Sequence, residues 1–447
     1  MASEPQTFRD HALSLLQSAA DEAVRATAGV GGLTVRPDVE NDLVRATAAM
    51  GALKMQGAAI PLMAPVGIGQ DTWDCAKLGY DLLHAKIAGN TAEVQRLQGE
   101  LDFSTCDANW ARALTSYLGY YGPDGKLRTI PYIRAGQVGA KVIPLQAGAR
   151  VALIADWGTG TDVAVDLLKE VAQQKPDVLI HLGDIYYSGT PTECDVNFKR
   201  VVDTVLDRAA NPIPVFTLSG NHDMYSGGAG FYELIRTLNA PALQQPASFF
   251  CLRSTDERWQ FVAMDTGKND YNPFNVTTVL TSLEKDEEDW LVDRIGEFAG
   301  KTILLSHHQL FSALSQIGRP RADGSLVAYN PYLAVSFRRF HDAAPGRIAS
   351  WFWGHEHALS VYQPYLGLSR GRCIGHGAVP VFTSGSPDTG LGGIIDPPKL
   401  RDDVHLGADG PVYRHGFTMI QLGTDGSATA AYYDSSGGTQ PVFTEPL

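Results

Sequence analysis

Five short blocks of this chain hold residue types that can do chemistry together. In order they are Asp156-Trp157-Gly158, Gly183-Asp184-Ile185-Tyr186-Tyr187, Gly220-Asn221-His222-Asp223, Ser306-His307-His308 and Gly354-His355-Glu356-His357. Singly each is bland, since an Asp after a strand usually caps a turn and a His is usually satisfied in the core or on the surface. Together they supply carboxylate oxygens, imidazoles, an amide and a phenol. That donor set, lacking thiolate, suits Fe, Mn or Zn rather than a structural thiolate zinc site. A carboxylate bridging two such ions sets them about 3.5–4 Å apart, and the pair activates a water while neutralising the attacking and leaving oxygens. Phosphoester hydrolysis needs this most, because its transition state spreads negative charge over several oxygens.

Each block ends a short apolar run. Val151–Ala155 leads into Asp156, Val178–Leu182 into Gly183-Asp184, and Val215–Ser219 into Gly220-Asn221-His222. Phe261–Met264 leads into Asp265, Ile303–Leu305 into Ser306-His307-His308, and Trp351–Trp353 into Gly354-His355. These runs read as strands alternating with helical stretches such as Val163–Val171, an α/β pattern. Open α/β sheets collect their active sites at the carboxyl ends of strands. Phe417–Leu422 and Ala428–Tyr433 read as late antiparallel strands joined by the Gly423–Ser427 turn. Residues 1–145 read instead as an Ala-rich helical region, with helical spacing at Leu13, Leu16, Ala20 and Ala23, and again at Val39, Leu43, Ala46, Met50 and Leu53. A third stretch, Leu83 to Leu101, breaks near Gly89-Asn90, where Asn90 caps a helix with Glu93 at N3. Loops interrupt at Ile60-Pro61 and Ala64–Gly67. This region holds no catalytic constellation and is expected to be a lid, a docking platform or a contact between copies of the chain. The expected domains are therefore 1–145 and 146–447.

The 447 residues carry 36 basic and 49 acidic side chains, so the formal charge is 36 − 49 = −13. A mean field of that sign repels nucleic-acid backbones and anionic membranes, with Arg319, Arg321, Arg338 and Arg339 a candidate local basic patch. Any phosphate must therefore be held locally, by metal or by a few donors. The five cysteines (Cys75, Cys106, Cys194, Cys251 and Cys373) show no CxxC spacing, which excludes a zinc ribbon. MASEPQTFRD has neither a basic nor an apolar leader pattern, and no apolar run approaches about 18 residues, so a cytoplasmic protein is expected.

The five blocks resemble the signature of the calcineurin-like metallophosphoesterases: Dx(G/H), GDxxY, GNH(D/E), a strand-end His, and GHxH. The resemblance covers about residues 148–435. It points to the purple acid phosphatase branch, because Gly158 stands where most members carry a metal-ligating His and Tyr187 offers a phenolate in compensation. The resemblance implies an α/β fold, a metallophosphoesterase-type β-sandwich of two mixed sheets flanked by helices. It implies that Asp156, Tyr187 and His357 bind a first metal, that Asn221, His307 and His355 bind a second, and that Asp184 bridges them. The implied cofactor is two metal ions, Fe(III) with a divalent Fe, Mn or Zn. His222 would stand just outside the metals as the acid for the leaving group or a clamp on a phosphate oxygen. The implied reaction is a single in-line displacement at phosphorus with no covalent phosphoenzyme.

The residues themselves leave alternatives. Tyr186 competes with Tyr187 as the inward phenol, and His308 competes with His307; the unused His then contacts substrate or supports the site. His355 and His357, two apart, share a strand face opposite Glu356, whereas His222 next to Asn221 requires a loop, which Gly220 permits. Asp223 orients His222 or caps locally, and Trp157 is a packing wall. Tyr225, in the Gly-rich Met224–Phe231 loop, and His376 are candidates for substrate contact, as are the Gly158–Asp162 loop and the Gly267–Asn275 wall. His11, His84, His181, His341, His405 and His415 are structural or surface residues. The expected activity is a phosphomonoesterase acting on a small-molecule phosphoester. A phosphodiesterase on nucleotides or lipid headgroups is the alternative, and a non-catalytic binding scaffold the third reading.

Overall fold

The computed structural model describes residues 126–447 apart from 187, 273–278, 320, 322–324, 380, 382–395, 410–411 and 438–439, together with scattered residues between 61 and 122. Two compact units are present. The smaller comprises residues 1–111, 380–386 and 410–413, and the larger comprises the remainder. In the smaller unit Leu78, Ala85, Val94 and Leu97 pack together, and Asn90 accepts the Glu93 N–H at 3.2 Å, the cap its sequence predicts. The helices expected at 13–23 and 39–53, and the contact between copies expected of them, lie outside the described residues.

The larger unit takes in residues 112–145, which composition alone groups with the helical region. The reason is pairing: Ile143–Leu145 (β1) adds to a sheet edge in parallel register with Phe250–Ser254 (β5). The other strands of that sheet are Trp259–Ala263 (β6), Lys301–Leu305 (β7), Ile348–Trp353 (β8), Leu359–Val361 (β9) and Gly371–Ile374 (β10). Its order is β1-β5-β6-β7-β8-β10-β9, with β6, β7, β8 and β10 parallel. A second sheet contains Arg150–Ile154 (β2), Val178–His181 (β3), Val215–Thr217 (β4), Gly416–Leu422 (β11), Ala428–Asp434 (β12) and Phe443–Pro446 (β13). Its order is β13-β12-β11-β2-β3-β4, with β2, β3 and β4 parallel and the later strands antiparallel.

The two sheets face one another across a core that includes Val151, Leu153, Ile180, Phe216, Phe261, Ile303, Phe352 and Ile420. Strands buried on both faces must be apolar throughout, which is why these read as continuous Val/Ile/Leu/Phe runs. Helix Asp162–Gln173 (α1) covers the outer face of the second sheet through Ala164, Leu167, Leu168 and Val171. Helices Lys285–Gly296 (α2) and Pro331–Ala343 (α3) cover the first through Trp290, Leu291, Leu333 and Phe337. The result is the expected sandwich of two mixed sheets between helical layers. It aligns the carboxyl ends of β2, β3, β4, β7 and β8 along one rim.

At the edge of the second sheet, β13 is held to β10 by a buried ion pair. Arg372 Nε and Nη2 donate to Glu445 at 2.6 and 2.7 Å, and the Tyr432 hydroxyl donates to the same carboxylate at 2.7 Å. Burial opposes the Glu445 charge, but Arg372 holds its carboxyl below the ordinary value of 4.5. Truncating one partner leaves the other charge buried and unpaired, so Glu445→Ala is expected to cost about 3–5 kcal/mol of unfolding free energy at neutral pH. A carboxyl whose folded value is depressed stabilises above its unfolded value and loses that contribution as pH falls through the folded one. Denaturant unfolding of wild type should therefore weaken below pH 4.5, and that part of the slope should be missing in Glu445→Ala.

Candidate metal centre

Three of the candidate ligands sit in left-handed backbone conformation, namely Asp156 (φ 52°), Asp184 (φ 75°) and His355 (φ 67°). Such geometry costs about 1–3 kcal/mol per residue and persists where the surroundings over-determine it. Here the strand-end loops grip one another. The Asp156 N–H donates to Gly183 C=O at 3.1 Å, and Gly158 N–H to Asp184 C=O at 3.3 Å. The His355 N–H donates to the Asp156 carboxylate at 2.9 and 3.2 Å. Asp223 accepts the N–H groups of Gly220 (2.7 Å), Asp184 (2.9 Å) and Ile185 (3.3 Å), so it is a local cap that locks the β3 and β4 loops together. A Cβ on Gly220 would lie 2.0 Å from Asp184 Oδ1, and one on Gly158 would lie 2.8 Å from the Ile185 backbone. Neither position can carry a side chain, so no histidine fits at 158.

The carboxylate of Asp184 faces two ways. Its Oδ1 lies 3.4 Å from His307 Nε2 and accepts the His222 backbone N–H at 3.0 Å. Its Oδ2 accepts the hydroxyl of Tyr186 at 3.2 Å. On the Oδ1 side, Asn221 Oδ1 lies 3.1 Å from His307 Nε2 and 3.0 Å from His355 Nδ1. On the Oδ2 side, Tyr186 Oη lies 3.1 Å from His357 Nε2 and 3.4 Å from Asp156 Oδ1, and His357 Nε2 is 3.6 Å from Asp156 Oδ1. Asp156, Asp184 and His357 offer ligand atoms within 4.8 Å of one another, as do His307, His308 and His355.

The residues brought together include Asp156, Asp184, Asn221, His307, His355 and His357. The phenol that reaches the cluster is that of Tyr186, whereas the phenol favoured on spacing, Tyr187, lies outside the described residues. The turn at Asp184, with its positive φ and the Gly158–Ile185 bridge, comes just before Tyr186, whose hydroxyl meets Asp184 Oδ2. His222 lies in the single helical turn Asn221–Met224 that starts at Gly220, so it and Asn221 both face the site. Its ring packs 4.6 Å from Tyr186 and 4.7 Å from Tyr225, centroid to centroid.

Three candidates for substrate contact are placed differently. Tyr225 is 2% exposed, and its hydroxyl oxygen accepts Asn221 Nδ2–H at 2.6 Å, so it is turned toward the amide. His308 is buried behind His355, with ring centroids 4.4 Å apart, and is held by Thr266 Oγ1 at 3.0 Å and Asp270 Oδ2 at 3.1 Å. His376 is buried against Gly416 near β11, and burial brings its value down to about 4. Thr266 was not singled out from sequence, although the apolar run ending at Asp265 was the available signal, and Asp270 fell within the Gly267–Asn275 wall without a role of its own. Glu356 points away from the two histidines beside it and accepts the hydroxyls of Ser312 and Ser315.

The electrostatics fit cations. His307 Nδ1–H donates to the Leu182 carbonyl at 2.9 Å, which leaves Nε2 as the atom turned toward Asp184 and Asn221, where a cation can take the place of its proton. Acceptor atoms then face acceptor atoms. Among the described residues, the hydrogen bonds and ion pairs of Asp156 and Asp184 include none from lysine or arginine. Burial, with the Asp184 charge adding to it, pushes Asp156 well above the usual carboxyl range. Burial opposes the Asp184 charge too, but His307, His222 and His355 hold that carboxyl well below it. Burial pulls His307 down, yet Asp184 raises it to about 9; burial lowers His355, and takes His357 to about 4. Paired cations resolve this conflict by replacing protons among buried acceptors.

A model of the calcineurin-like phosphoesterase family matches residues 149–359, the stretch that carries β2 through β8 and all five blocks. Residues 149–359 of this chain are a calcineurin-like phosphoesterase domain. A probable cyclic nucleotide phosphodiesterase of Synechococcus is 25% identical over 150 residues, covering 33% of this chain and 48% of that protein, so the chain spans about half of that relative's length. The tartrate-resistant acid phosphatase type 5 of Rattus norvegicus is 21% identical over 317 residues, covering 64% of this chain and 87% of that protein. Among solved structures, a purple acid phosphatase from yellow lupin (Lupinus luteus) aligns with a TM-score of 0.43 at 13% identity, covering 68% of this chain and 54% of that one.

Proposed function

We propose that this protein is a metal-dependent phosphoester hydrolase that acts on monoesters in preference to diesters. The carrying observation is the convergence of acceptor atoms from five strand ends on Asp184, whose two oxygens serve two neighbouring ligand groups. Asp156, Asp184, Tyr186 and His357 would hold one ion, and Asp184, Asn221, His307 and His355 the other. When bound, the ions supply an acidified water and positive charge for the oxygens of the phosphoryl group. The chain's own groups do the rest. His222, beside the Asp184 carboxylate and wedged between two phenols, is placed to hand a proton to the departing alcohol. The partly exposed His357, with 25% of its side chain accessible, marks the side from which a phosphoryl group enters.

The monoester reading is supported by the rat acid phosphatase relative, whose match spans 64% of this chain. The diester reading is supported by the cyanobacterial relative, whose match spans 33%. Relative rates on phenyl phosphate and on a bis-phenyl phosphodiester separate them. A diester rate above the monoester rate would reverse the preference.

We further propose ferric iron in the site holding Tyr186. The purified protein should then absorb in the visible through phenolate-to-iron charge transfer. Tyr186→Phe should lose that band and Tyr187→Phe should keep it; the opposite pattern would assign the ligand to Tyr187. Cytoplasmic placement is supported by Cys194, Cys251 and Cys373, which are buried and free. Among the described residues no helix is long and apolar enough to cross a membrane.

A further inference from the structure

We infer that Tyr225 is a positioning residue that sets which atom of the Asn221 amide faces the second metal, an inference that rests on the dinuclear reading above. An asparagine is a usable metal ligand only through its oxygen, and its two ends have nearly the same shape. Something must therefore select the orientation. In this structure the Asn221 side chain lies between two opposed environments. On one side are His307 Nε2 at 3.1 Å and His355 Nδ1 at 3.0 Å. On the other is the Tyr225 hydroxyl oxygen at 2.6 Å from Nδ2. Because His307 spends its Nδ1–H on the Leu182 carbonyl at 2.9 Å, Nε2 is the atom it turns toward the amide, where a bound cation would replace the proton between Nε2 and Oδ1. With a cation on Oδ1, the Tyr225 hydroxyl oxygen is the acceptor that satisfies the outward Nδ2–H, and so it stabilises the orientation in which Oδ1 faces the ion.

The placement of Tyr225 is itself over-determined. The helical turn Asn221–Met224 places Tyr225 one turn beyond Asn221, at i+4, where side chains of a helix meet. Its ring packs edge-on against His222 at 4.7 Å, and the preceding Met224 carbonyl accepts the hydroxyl of Tyr121 at 2.8 Å. The tyrosine is 2% exposed, so water is a poor substitute for its oxygen. Without that acceptor, seating a cation on Oδ1 leaves Nδ2–H buried and unpaired, which weakens binding at that site alone. Among the described residues the hydrogen bond of this hydroxyl goes to Asn221 and not to Asp156, Tyr186 or His357, so the first site should be indifferent to it.

The test is a Co(II) titration of the metal-stripped full-length chain, followed by heat and by visible absorption of the bound ion. Wild type should take up two ions. Tyr225→Phe should still take up the tighter or first-site ion unchanged, while the affinity for the other falls about tenfold to a hundredfold, the usual effect of removing a partner that orients a ligand. The Co(II) spectrum of that site should shift as its oxygen donor is lost or displaced. A carboxylate presents oxygen whichever way it turns, so in an Asn221→Asp background Tyr225→Phe should cost less than about twofold. Equal losses in both backgrounds, or no loss with Asn221 in place, would overturn the role given to Tyr225 while leaving a two-ion site intact. A wild-type chain that takes up fewer than two ions would overturn the dinuclear reading and this inference with it. Thermal melting of the metal-free variants should be unchanged, because the ring that packs on His222 is kept.

Discussion

Asp184→Ala is expected to remove both metals and with them nearly all activity. Every other candidate ligand belongs to one ion group, but the Asp184 carboxylate turns Oδ1 toward His307 and Oδ2 toward Tyr186. Losing a ligand common to two sites costs the Asn221 site its one carboxylate and the Asp156 site one of its two, and leaves the remaining donors of both too few to hold the pair. Charge stabilisation by bound ions is worth several kcal/mol at the transition state, so turnover should fall by about a thousandfold or more. Metal analysis should show the loss independently of rate, from about two ions per chain toward none. The metal-free variant should nevertheless fold, because Asp223 grips the residue 184 N–H through the backbone whatever the side chain. Full activity in metal-replete Asp184→Ala would sink the dinuclear reading.

His222→Ala is expected to show a loss that depends on the leaving group. A proton donor matters when the departing alkoxide is basic and hardly at all when it is a stable phenolate, so an alkyl phosphate should lose about 10²–10⁴-fold and a nitrophenyl phosphate only a few fold. The variant isolates the imidazole cleanly. The contact that His222 makes with Asp184 runs through its backbone N–H at 3.0 Å, which alanine retains. Metal content should therefore be unchanged. The same loss on both esters would mean that His222 clamps a phosphate oxygen and does not donate the proton.

The two variants are complementary in what they spare. One removes the scaffold for the ions and leaves the acid in place; the other removes the acid and leaves the scaffold. Tyr225→Phe falls between them, because it acts on one ion through a neighbour's orientation and touches neither the bridge nor the acid.

The chain's residues by themselves determined the α/β class, the order of the strand-end blocks and the identities of Asp156, Asp184, Asn221, His307, His355 and His357. These are legible because strands buried on both faces must be continuous apolar runs, and the polar residue that ends each run is set by local chain order. The Asn90 cap was legible for the same reason: it needs only a partner three residues away. Tertiary structure decided what depends on rotations at single residues and on loops far apart in the chain. The bond from the His355 N–H to the Asp156 carboxylate spans 199 residues, and no pattern of spacing encodes it. Strand alternation favours Tyr187, which lies outside the described residues, whereas the contact of the Tyr186 hydroxyl with Asp184 follows from the left-handed turn at Asp184. Tyr225 and His308 have residue types suited to substrate contact, yet neighbours from other loops enclose them, so their chemistry is directed at Asn221 and at Asp270. That residues 112–145 group with the larger unit was not legible either, because β1 joins its sheet by backbone pairing, which any three extended residues at an edge can provide. Residue types fix which groups are available; only the mutual packing of the loops fixes which atoms of those groups face one another.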